Sequence, residues 1–477
     1  MILTCGQWLS TKLRPGSTVI AYDRQGSYTL ENLREAAGRI AVTLRELQVK
    51  RAALCLENSY LFTAALLGCL YSGCVPLLPG HNRAEQLRSQ HHLFDIVLSD
   101  QHLEGLERLQ LGCDAQGAFE LTHFASQEPQ SAPGKAVWPL DAAQVASQVD
   151  RPLGDDAYLI LFTSGSTGTP KQVPKPISAL DEEARLTAQV FGERLKGCRL
   201  LSSVYPMHMF GLTFRIFMPL AQGLCMYAGF VHYTEELLSL CRDRSHPGGL
   251  AFISSPAFLR RLDVTEHGPE FKLTLSAGGA LPYETALAYH EWCGSYPEEI
   301  YGSTETGIIA HRVNDAPQAL WQPFAGMRFT QHEDETTLHS PLLGGPFVLD
   351  DRLEIGPGGI TLLGRRDRIV KIEDKRVAPA EVERRLKELP QICEAAVLPR
   401  EVAGRLSLSA VVVLSEGARE QLSRGQLILQ LRAALRPKLE PLAIPRYWRF
   451  VDELPLNSMG KRDRAVLLSL FERSPES

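Results

Sequence analysis

The chain has 477 residues, 44% of them hydrophobic and 22% charged, with a formal net charge of −5, which is ordinary for a globular protein large enough for more than one domain. No stretch approaches the roughly 18 uninterrupted apolar residues of a membrane span, and the first residues lack the features of a signal peptide, so we expect a cytoplasmic protein without a membrane span. The ten cysteines form no CxxC pair or cysteine–histidine cluster, which argues against a zinc site.

Apolar runs alternate with helical patterns from about residue 17 to 365. The segment 57–80 has a polar helix start at Asn58–Ser59, then an apolar helix and a short strand ending in Pro and Gly. Further runs rich in Val, Ile, Leu and Phe predict strands: FDIVLSD, AYLILFT, RLLSSVYP, GGLAFISSP and FKLTLSAGGALP. This alternation predicts an α/β domain with parallel-rich sheets and helices, whose ligands bind at the carboxyl ends of the strands.

The pattern changes near Gly364. The C-terminal part predicts a small α+β domain with the helix PAEVERRLKEL, the strands CEAAVLP and LSAVVVL, the helix GQLILQLRAALRPKL and the strand RYWRFVDELP. We therefore predict a large domain over residues 1–364 and a small domain over residues 365–477. The small domain has a net charge of +6 and the remainder −11, which reflects either solvated helix faces or an acidic partner.

The segment LFTSGSTGTPKQV, residues 161–173, combines glycines, hydroxyls and a lysine after an apolar strand. Gly165 and Gly168 allow a tight turn whose N–H groups can converge on a phosphate, and Lys171 adds a positive charge. Hydroxyl donors come from Thr163, Ser164, Ser166, Thr167 and Thr169. The spacing is neither G-x-x-x-x-G-K-(S/T) nor G-x-G-x-x-G, so the loop predicts a polyphosphate ligand and excludes a P-loop NTPase.

Three more motifs follow in order: IYGSTETG at 300–307, GRRDRIVKI at 364–372 and LPLNSMGKRDR at 454–464. With the loop at 161–173 they resemble the adenylate-forming superfamily, which contains acyl-CoA synthetases, aryl-acid ligases, peptide-synthetase adenylation domains and luciferases. The resemblance implies that a carboxylate attacks the α-phosphorus of ATP, giving an acyl-adenylate and pyrophosphate. A thiol then displaces AMP to form a thioester.

The resemblance also implies roles for single residues. Glu305 matches a glutamate that holds Mg²⁺, Thr304 would contact the α-phosphate, and Lys461 matches the lysine that bridges the attacking carboxylate and the α-phosphate. Tyr301 would lie against adenine. The implied nucleotide-binding set comprises Thr163, Ser164, Gly165, Ser166, Thr167, Gly168, Lys171, Gly278, Gly279, Ala280, Ile300, Tyr301, Gly302, Ser303, Asp351 and Arg365.

The ribose contact falls where this sequence departs from the family's T-G-D pattern. Asp351 is our choice, with Asp350 as the alternative, because a carboxylate there can accept both ribose hydroxyls, and Arg365 would support them. Asp367 matches the hinge at which the small domain rotates between the half-reactions. Asp374 stands where many relatives have a glycine beside the path of the pantetheine arm. The identity of the acceptor thiol is therefore left undecided.

Residues 202–223 match the segment that lines the acyl pocket, and no aspartate occurs between Tyr205 and Gly223. This argues against an α-amino acid, because an unpaired ammonium would be costly there. The pattern P-x-H-x-(F/Y)-G-L is most similar to stand-alone AMP-ligases of aryl polyene and xanthomonadin pigment clusters, which charge hydroxylated aryl acids onto an acyl carrier protein. The implied pocket comprises His208, which is also counted as catalytic, Phe210, Gly211, Ser254, Gly279, Gly307 and Ile308.

We therefore predict an aryl-acid ligase that uses ATP and Mg²⁺. Because 13 residues follow Arg464 and no carrier serine motif is present, we expect the thiol of an acyl carrier protein or of CoA to act in trans. A medium-chain fatty acyl- or aryl-CoA synthetase is the alternative within this class. A non-catalytic nucleotide-binding regulatory protein is the alternative outside it, against which Lys461, Glu305 and Lys171 argue. No nucleic-acid partner is predicted, and the oligomeric state stays open.

Overall fold

A computed structural model describes residues 2–114, 118–125, 135–136, 142–163, 171–242, 248–332, 335–365, 370–372, 375–377, 379–402, 405–415, 423–455 and 464–472. The chain divides into two compact units, Met1–Arg328 with His339–Pro346, and Phe329–Leu338 with Phe347–Ser477. The domain boundary at 364/365 stays a prediction, and the hinge residue Asp367 lies outside the described residues. No helix in the described part of the chain is long and apolar enough to cross a membrane.

Strands and helices alternate along the first unit, as predicted. Its strands are β1 Val19–Tyr22, β2 Ser27–Thr29, β3 Arg51–Cys55, β4 Val75–Leu78, β5 Ile96–Ser99, β6 Arg108–Cys113, β7 Phe119–Phe124, β8 Lys135–Ala136, β9 Tyr158–Thr163, β10 Lys171–Pro176, β11 Arg199–Ser202, β12 Cys225–Tyr227, β13 Leu250–Ser254, β14 Leu273–Ser276, β15 Glu298–Ser303, β16 Gly307–Val313 and β17 Gln322–Pro323. Its helices are α1 Leu30–Glu46, α2 Ser59–Ser72, α3 Ala84–Ser89, α4 Ala142–Val149, α5 Ile177–Leu195, α6 Met209–Gly211, α7 Met218–Gln222, α8 Thr234–Cys241, α9 Pro256–Leu259 and α10 Tyr283–Cys293. Short 3₁₀ turns lie at Cys5–Gln7 and His91–Leu93, and a π-helix, Leu212–Phe217, joins α6 to α7.

Two sheets with parallel centres organise this unit. Among the described residues, the first sheet has the order β17-β16-β15-β14-β13-β11-β12-β1-β2 and the second β10-β9-β4-β3-β5-β6-β7-β8. Pairing is parallel from β1 through β12, β11, β13 and β14 to β15, and likewise from β9 through β4, β3 and β5 to β6. The carboxyl ends of the central strands therefore share one edge of each sheet, where α/β proteins bind ligands.

Helix α2 shows how the sequence sets an element of the core. Asn58 caps its first turn by accepting a hydrogen bond from the Leu61 N–H at 3.0 Å, and Gly73 ends it with a φ of 81°. Twelve of its 14 residues are buried, as expected for a helix that is apolar on all sides. At Gly68 a Cβ would lie 2.5 Å from Ile40 Cγ2, so the glycine permits the close approach of α1.

The C-terminal elements appear in the predicted order of helix, two strands, helix and strand. The remaining strands are β18 Arg328–His332, β19 Glu335–His339, β20 Phe347–Val348, β21 Asp351–Gly356, β22 Gly359–Arg365, β23 Val370–Ile372, β24 Lys375–Val377, β25 Ile392–Val402, β26 Arg405–Leu414 and β27 Tyr447–Val451. The helices are α11 Pro379–Lys387, α12 Arg424–Leu435 and α13 Arg464–Ser469, with a 3₁₀ turn at Pro441–Ala443. Strands β25, β26 and β27 form one sheet. Leu386 of α11 and Leu431 of α12 are buried in one core with Val397 and Val412 of this sheet.

Candidate active site

A tight turn between β15 and β16 carries Thr304 and Glu305. The Thr306 hydroxyl accepts a hydrogen bond from the Ser303 N–H at 3.1 Å and donates one to the Gly307 carbonyl at 2.9 Å. The Ser303 hydroxyl accepts from the Thr306 N–H at 3.1 Å. Gly307 has a φ of +72°, which favours glycine. The turn is thus held by its own hydrogen bonds, with Thr304 and Glu305 half-buried at the carboxyl end of β15.

Lys171 and Glu305, which are distant in sequence, meet at this turn. Lys171 Nζ lies 3.2 Å from Glu305 Oε1. Burial acts to raise the pKa of Glu305, but the Glu305 backbone N–H and the Lys171 ammonium outweigh it, so the pKa lies below its usual value. The carboxylate is therefore ionised at neutral pH and is available to a cation.

The predicted phosphate loop connects the two strands of an antiparallel hairpin. Thr163, the last residue of β9, is the cross-strand partner of Lys171, the first residue of β10. Both ends of the loop therefore lie at the end of the sheet that presents Lys171 to Glu305. The predicted loop residues Ser164, Gly165, Ser166, Thr167 and Gly168 lie outside the described residues, as do Lys461 and Asp374.

Neighbouring strands bring further predicted residues to the same edge. Ser254 ends β13, and its hydroxyl oxygen lies 2.9 Å from that of Ser203, which follows β11. Gly278, Gly279 and Ala280 follow β14 and are exposed. A Cβ at Gly278 or Gly279 would have no atom within 4 Å, so open space adjoins this backbone. The edge therefore offers room beside the Thr304–Thr306 turn for a ligand to approach the main chain.

His208 lies where the carboxyl ends of the two sheets meet. It follows β11 of the first sheet, and a Cβ at Gly80, just after β4 of the second sheet, would lie 3.1 Å from His208 Cε1. Phe210 packs on Phe214 with ring centroids 5.0 Å apart. The predicted pocket segment thus lines the junction between the sheets.

Tyr301 and its neighbours form the wall behind the turn. The Tyr301 ring lies 5.8 Å from the Trp321 ring at an interplanar angle of 59°. Ile300 and Ile308 are buried, and Gly302 pairs with Ile308 across the hairpin. A Cβ at Gly302 would lie 2.2 Å from the Gly307 carbonyl oxygen, so the hairpin closes only around a glycine.

The two residues predicted to hold ribose lie together in the second unit. Asp351 begins β21 and pairs across the hairpin with Arg365, the last residue of β22. Asp350 precedes the strand and is exposed, whereas Asp351 is half-buried. The register therefore places the backbone of Asp351 opposite that of Arg365.

Three buried charged residues near this edge were not predicted from the sequence: Lys175, Glu183 and Arg215, which are 4%, 2% and 1% exposed. Arg215 donates hydrogen bonds to the carbonyls of Val204 at 2.7 Å, Ala228 at 3.1 Å and Gly229. Burial lowers the pKa of Arg215 to about 9. Arg215 therefore ties the segments that follow β11 and β12 to the π-helix.

A sequence signal for Glu183 does exist. It lies in α5 among the buried residues Leu180, Ala184 and Thr187, at the three- and four-residue spacing of one helix face. A carboxylate within an apolar stripe predicts a buried partner. Arg215 and Lys175 give no comparable signal, because a single long basic side chain is ordinarily exposed.

The donors at the turn fit Mg²⁺ bound together with a nucleotide. In the described part of the chain no three His, Cys, Asp or Glu side chains group as a metal centre. Mg²⁺ commonly binds one or two carboxylates plus substrate phosphates and waters. The single ionised carboxylate of Glu305 beside the Lys171 ammonium suits that mode.

Two family models match the chain: AMP-binding enzyme over residues 9–337, and AMP-binding enzyme C-terminal domain over residues 381–461. A 4-coumarate–CoA ligase of Cereibacter sphaeroides is 29% identical over 65% of this chain and 71% of its own length. The p-hydroxybenzoic acid–AMP ligase FadD22 of Mycobacterium tuberculosis is 25% identical over 94% of this chain and 66% of its own length, which is slightly under two thirds. A 4-hydroxybenzoate–CoA/benzoate–CoA ligase of Rhodopseudomonas palustris is 26% identical over 95% and 90%.

Solved structures share the fold. The crystal structure of ATP-bound MatB from Rhodopseudomonas palustris superposes with a TM-score of 0.74 and covers 99% of both chains. The sequence identity is 20%, so the likeness concerns the fold alone. It agrees with the predicted parallel-rich α/β architecture followed by a smaller C-terminal part.

Proposed function

Because the chain belongs to the AMP-binding enzyme family, we propose that it activates a hydroxylated aryl acid with ATP and transfers the acyl group to a thiol. The observation that carries this proposal is the contact of Lys171 Nζ with Glu305 Oε1 at 3.2 Å. It joins the end of a glycine- and hydroxyl-rich loop to a carboxylate at the carboxyl edge of a parallel sheet. A cation and an ionised carboxylate in that position suit a metal-bound triphosphate.

The first half-reaction needs the negative charge of the phosphates to be neutralised. The Lys171 side chain is 63% exposed, so its ammonium is accessible to phosphate oxygens. Glu305 would hold Mg²⁺, which supplies positive charge at the phosphates. The acid's carboxylate oxygen forms a bond to the α-phosphorus while the α–β anhydride bond breaks and pyrophosphate leaves. We assign Lys461 to the remaining charge, because two anions must meet in the transition state.

Aromatic side chains support an aryl acid as the substrate. Tyr205 stacks on Phe230 with centroids 4.4 Å apart, and Tyr205 also contacts the His208 ring edge-on at 6.3 Å. No acidic residue occurs between residues 206 and 222, so this segment offers no carboxylate to an α-ammonium group. The names of the coumarate and hydroxybenzoate ligases reported above point to the same class.

For the second half-reaction we propose the phosphopantetheine thiol of an acyl carrier protein in trans. The thiol sulfur bonds to the acyl carbon, and AMP leaves with the electrons of the carbon–oxygen bond. Carrier proteins are acidic, and the net charge of residues 365–477 is +6. CoA is the alternative acceptor, favoured by the names of two of the relatives.

The test is ATP–pyrophosphate exchange with benzoates, hydroxybenzoates, hydroxycinnamates, medium-chain fatty acids and amino acids. We expect exchange that depends on hydroxylated aryl acids. Lys461→Ala should slow it roughly 10²-fold or more, by analogy with the loss of one oxyanion donor. The matched control is Lys438→Ala, which removes a surface lysine paired with Glu388 and should leave exchange unchanged.

Each other outcome has a defined meaning. ATP–pyrophosphate exchange supported only by fatty acids would show that the substrate is a medium-chain fatty acid and not an aryl acid. Silence with every acid, while ATP still binds, would contradict the ligase proposal and favour a nucleotide-binding regulatory protein. Full activity of Lys461→Ala would remove Lys461 from the first half-reaction.

A further inference from the structure

Two oppositely charged side chains lie buried beside the turn that carries Glu305. Lys175 is in β10, four residues after Lys171, and Glu183 is in the second turn of α5. Burial lowers the pKa of Lys175, which Glu183 and Glu305 counteract. Burial raises the pKa of Glu183 to about 7, which Lys175 counteracts. Each charge therefore offsets part of the cost of burying the other.

The two side chains hold the turn from both sides of Gly307. Lys175 Nζ donates a hydrogen bond to the backbone carbonyl of Glu305 at 2.7 Å. Glu183 Oε1 accepts one from the backbone N–H of Ile308 at 2.8 Å. A Cβ at Gly307 would lie 3.2 Å from Glu183 Oε1 and 3.0 Å from Leu342 Cδ1, so the turn packs directly onto the carboxylate.

One strand thus contacts both the side chain and the main chain of Glu305. Lys171, at the start of β10, contacts the carboxylate, whereas Lys175, further along the strand, contacts the carbonyl. Two fixed points on one residue determine the direction in which its carboxylate projects. A metal ligand must be held in this way, because affinity depends on the orientation that outer contacts impose on the ligand.

Stability alone gives no reason for charges at these positions. An ion taken from water costs several kcal/mol, and well-packed apolar residues in place of a buried ion pair are often neutral or stabilising. Both charges are instead directed at backbone groups of the turn that carries Glu305. We propose that Lys175 and Glu183 are positioning residues that fix the Glu305 carboxylate for a metal-bound triphosphate. This inference rests on the proposed function.

The test compares Lys175→Met and Glu183→Gln with the control Glu182→Gln. Glu182 is the neighbour of Glu183 on α5 but pairs with Arg185. ATP binding to the full chain is measured by calorimetry over a Mg²⁺ titration and again in EDTA. Loss of the Lys175 contact should raise the Mg²⁺ concentration for half-maximal enhancement of binding by about 10- to 100-fold, as for other outer contacts of metal ligands. In EDTA, the variants should bind ATP with the wild-type affinity. The control Glu182→Gln should have the wild-type Mg²⁺ requirement.

Glu183→Gln should have a smaller effect on the Mg²⁺ requirement. Its amide oxygen can still accept from the Ile308 N–H, while the negative charge that counteracts the lowered pKa of Lys175 is lost. Amide hydrogen exchange of the peptide spanning 303–308, without nucleotide, gives a second readout. It should quicken in Lys175→Met and stay at the wild-type rate in the control.

The double variant Lys175→Met with Glu183→Gln separates positioning from stability. Removing both charges should return the thermal midpoint toward wild type, because no lone charge stays buried, while the Mg²⁺ requirement stays raised. A double variant with a wild-type Mg²⁺ requirement would overturn the proposal. If Lys175→Met does not fold, the double variant and Glu183→Gln carry the test.

A failure of the proposed function is recognisable separately. Wild-type protein that binds ATP without any dependence on Mg²⁺ would contradict the function assigned to Glu305. Amide hydrogen exchange of the peptide 303–308 then decides whether Lys175 and Glu183 hold the turn. Amide hydrogen exchange at the wild-type rate in both Lys175→Met and Glu183→Gln would also contradict the claim that these two residues hold the turn.

Discussion

Gly211 lies where the pocket segment folds back onto its own backbone. A Cβ there would be 1.9 Å from the Tyr205 carbonyl oxygen and 2.8 Å from its carbon. The φ of Gly211 is −65°, which any residue adopts, so the requirement for glycine is one of space. Since Tyr205 stacks on Phe230 and contacts His208, displacement of its carbonyl would move the aromatic wall of the pocket.

Gly211→Ala should therefore destabilise the protein and impair acid-dependent activity. Overpacking of this kind costs about 1–3 kcal/mol, measurable as the free energy of unfolding in urea. The control is Gly112→Ala in β6, where a Cβ would have no atom within 4 Å, so little loss is expected. Equal stability of the two variants would show that the Tyr205 carbonyl does not lie against residue 211.

The π-helix Leu212–Phe217 depends on a contact that helix propensity does not predict. Arg215 projects from it and satisfies backbone carbonyls after β11 and β12. Those segments follow two neighbouring strands, β11 and β12, and the first leads into the segment predicted to line the acyl pocket. π-Helical turns are rare and occur often at functional sites, and here the arginine anchors the turn between two strand ends.

Arg215→Leu should destabilise the folded protein, because the carbonyls of Val204, Ala228 and Gly229 would lose the arginine donor. The loss is partial at two of them, since Val204 keeps the Ser202 hydroxyl and Ala228 keeps the Ser59 N–H. Each unsatisfied group costs about 1–3 kcal/mol, and urea unfolding monitored by far-UV circular dichroism measures the sum. Arg185→Leu, which breaks an exposed pair on α5, should change stability by about 0–1 kcal/mol. A small effect at both positions would contradict the anchoring role of Arg215.

Sequence patterns predicted the positions of helices and strands well, but they did not predict which charged side chains are buried. The helix start at Asn58, the strands that end at Ser254 and Ser276, and the order of the C-terminal elements follow from apolar runs and caps, which are local signals. The contact of Lys171 with Glu305, 134 residues further along the chain, and the burial of Arg215 depend on contacts distant in sequence. No periodicity records such contacts, so they appeared only in the folded chain.

At the scale of the whole molecule, charge is divided unevenly along the chain. Residues 365–477 carry +6, while the rest carries −11. A basic C-terminal part would attract the anionic thiol carrier that we propose as the acceptor, by long-range electrostatic forces. Those forces are screened by salt, whereas contacts inside a closed pocket are screened much less.

Thioester formation with a carrier protein or CoA should therefore slow as NaCl rises from about 0.05 to 0.5 M, because the Debye length shortens. Initial rates with each thiol at subsaturating concentration measure this effect. Pantetheine, which has no phosphate, is the control and should show little dependence on salt. An equal response of pantetheine would mean that the charge asymmetry does not guide the acceptor.

The pairing of Thr163 with Lys171 has a consequence for how this protein can change over time. The ends of the seven-residue connection 164–170 are already fixed by strand register. The pairing of β9 with β10 already brings these ends together, so the loop-closure entropy is lost when the sheet forms. If residues 164–170 bind phosphate as we propose, substitutions within them should alter nucleotide affinity while the register of β9 and β10 is kept, so that ligand affinity and fold stability can change independently.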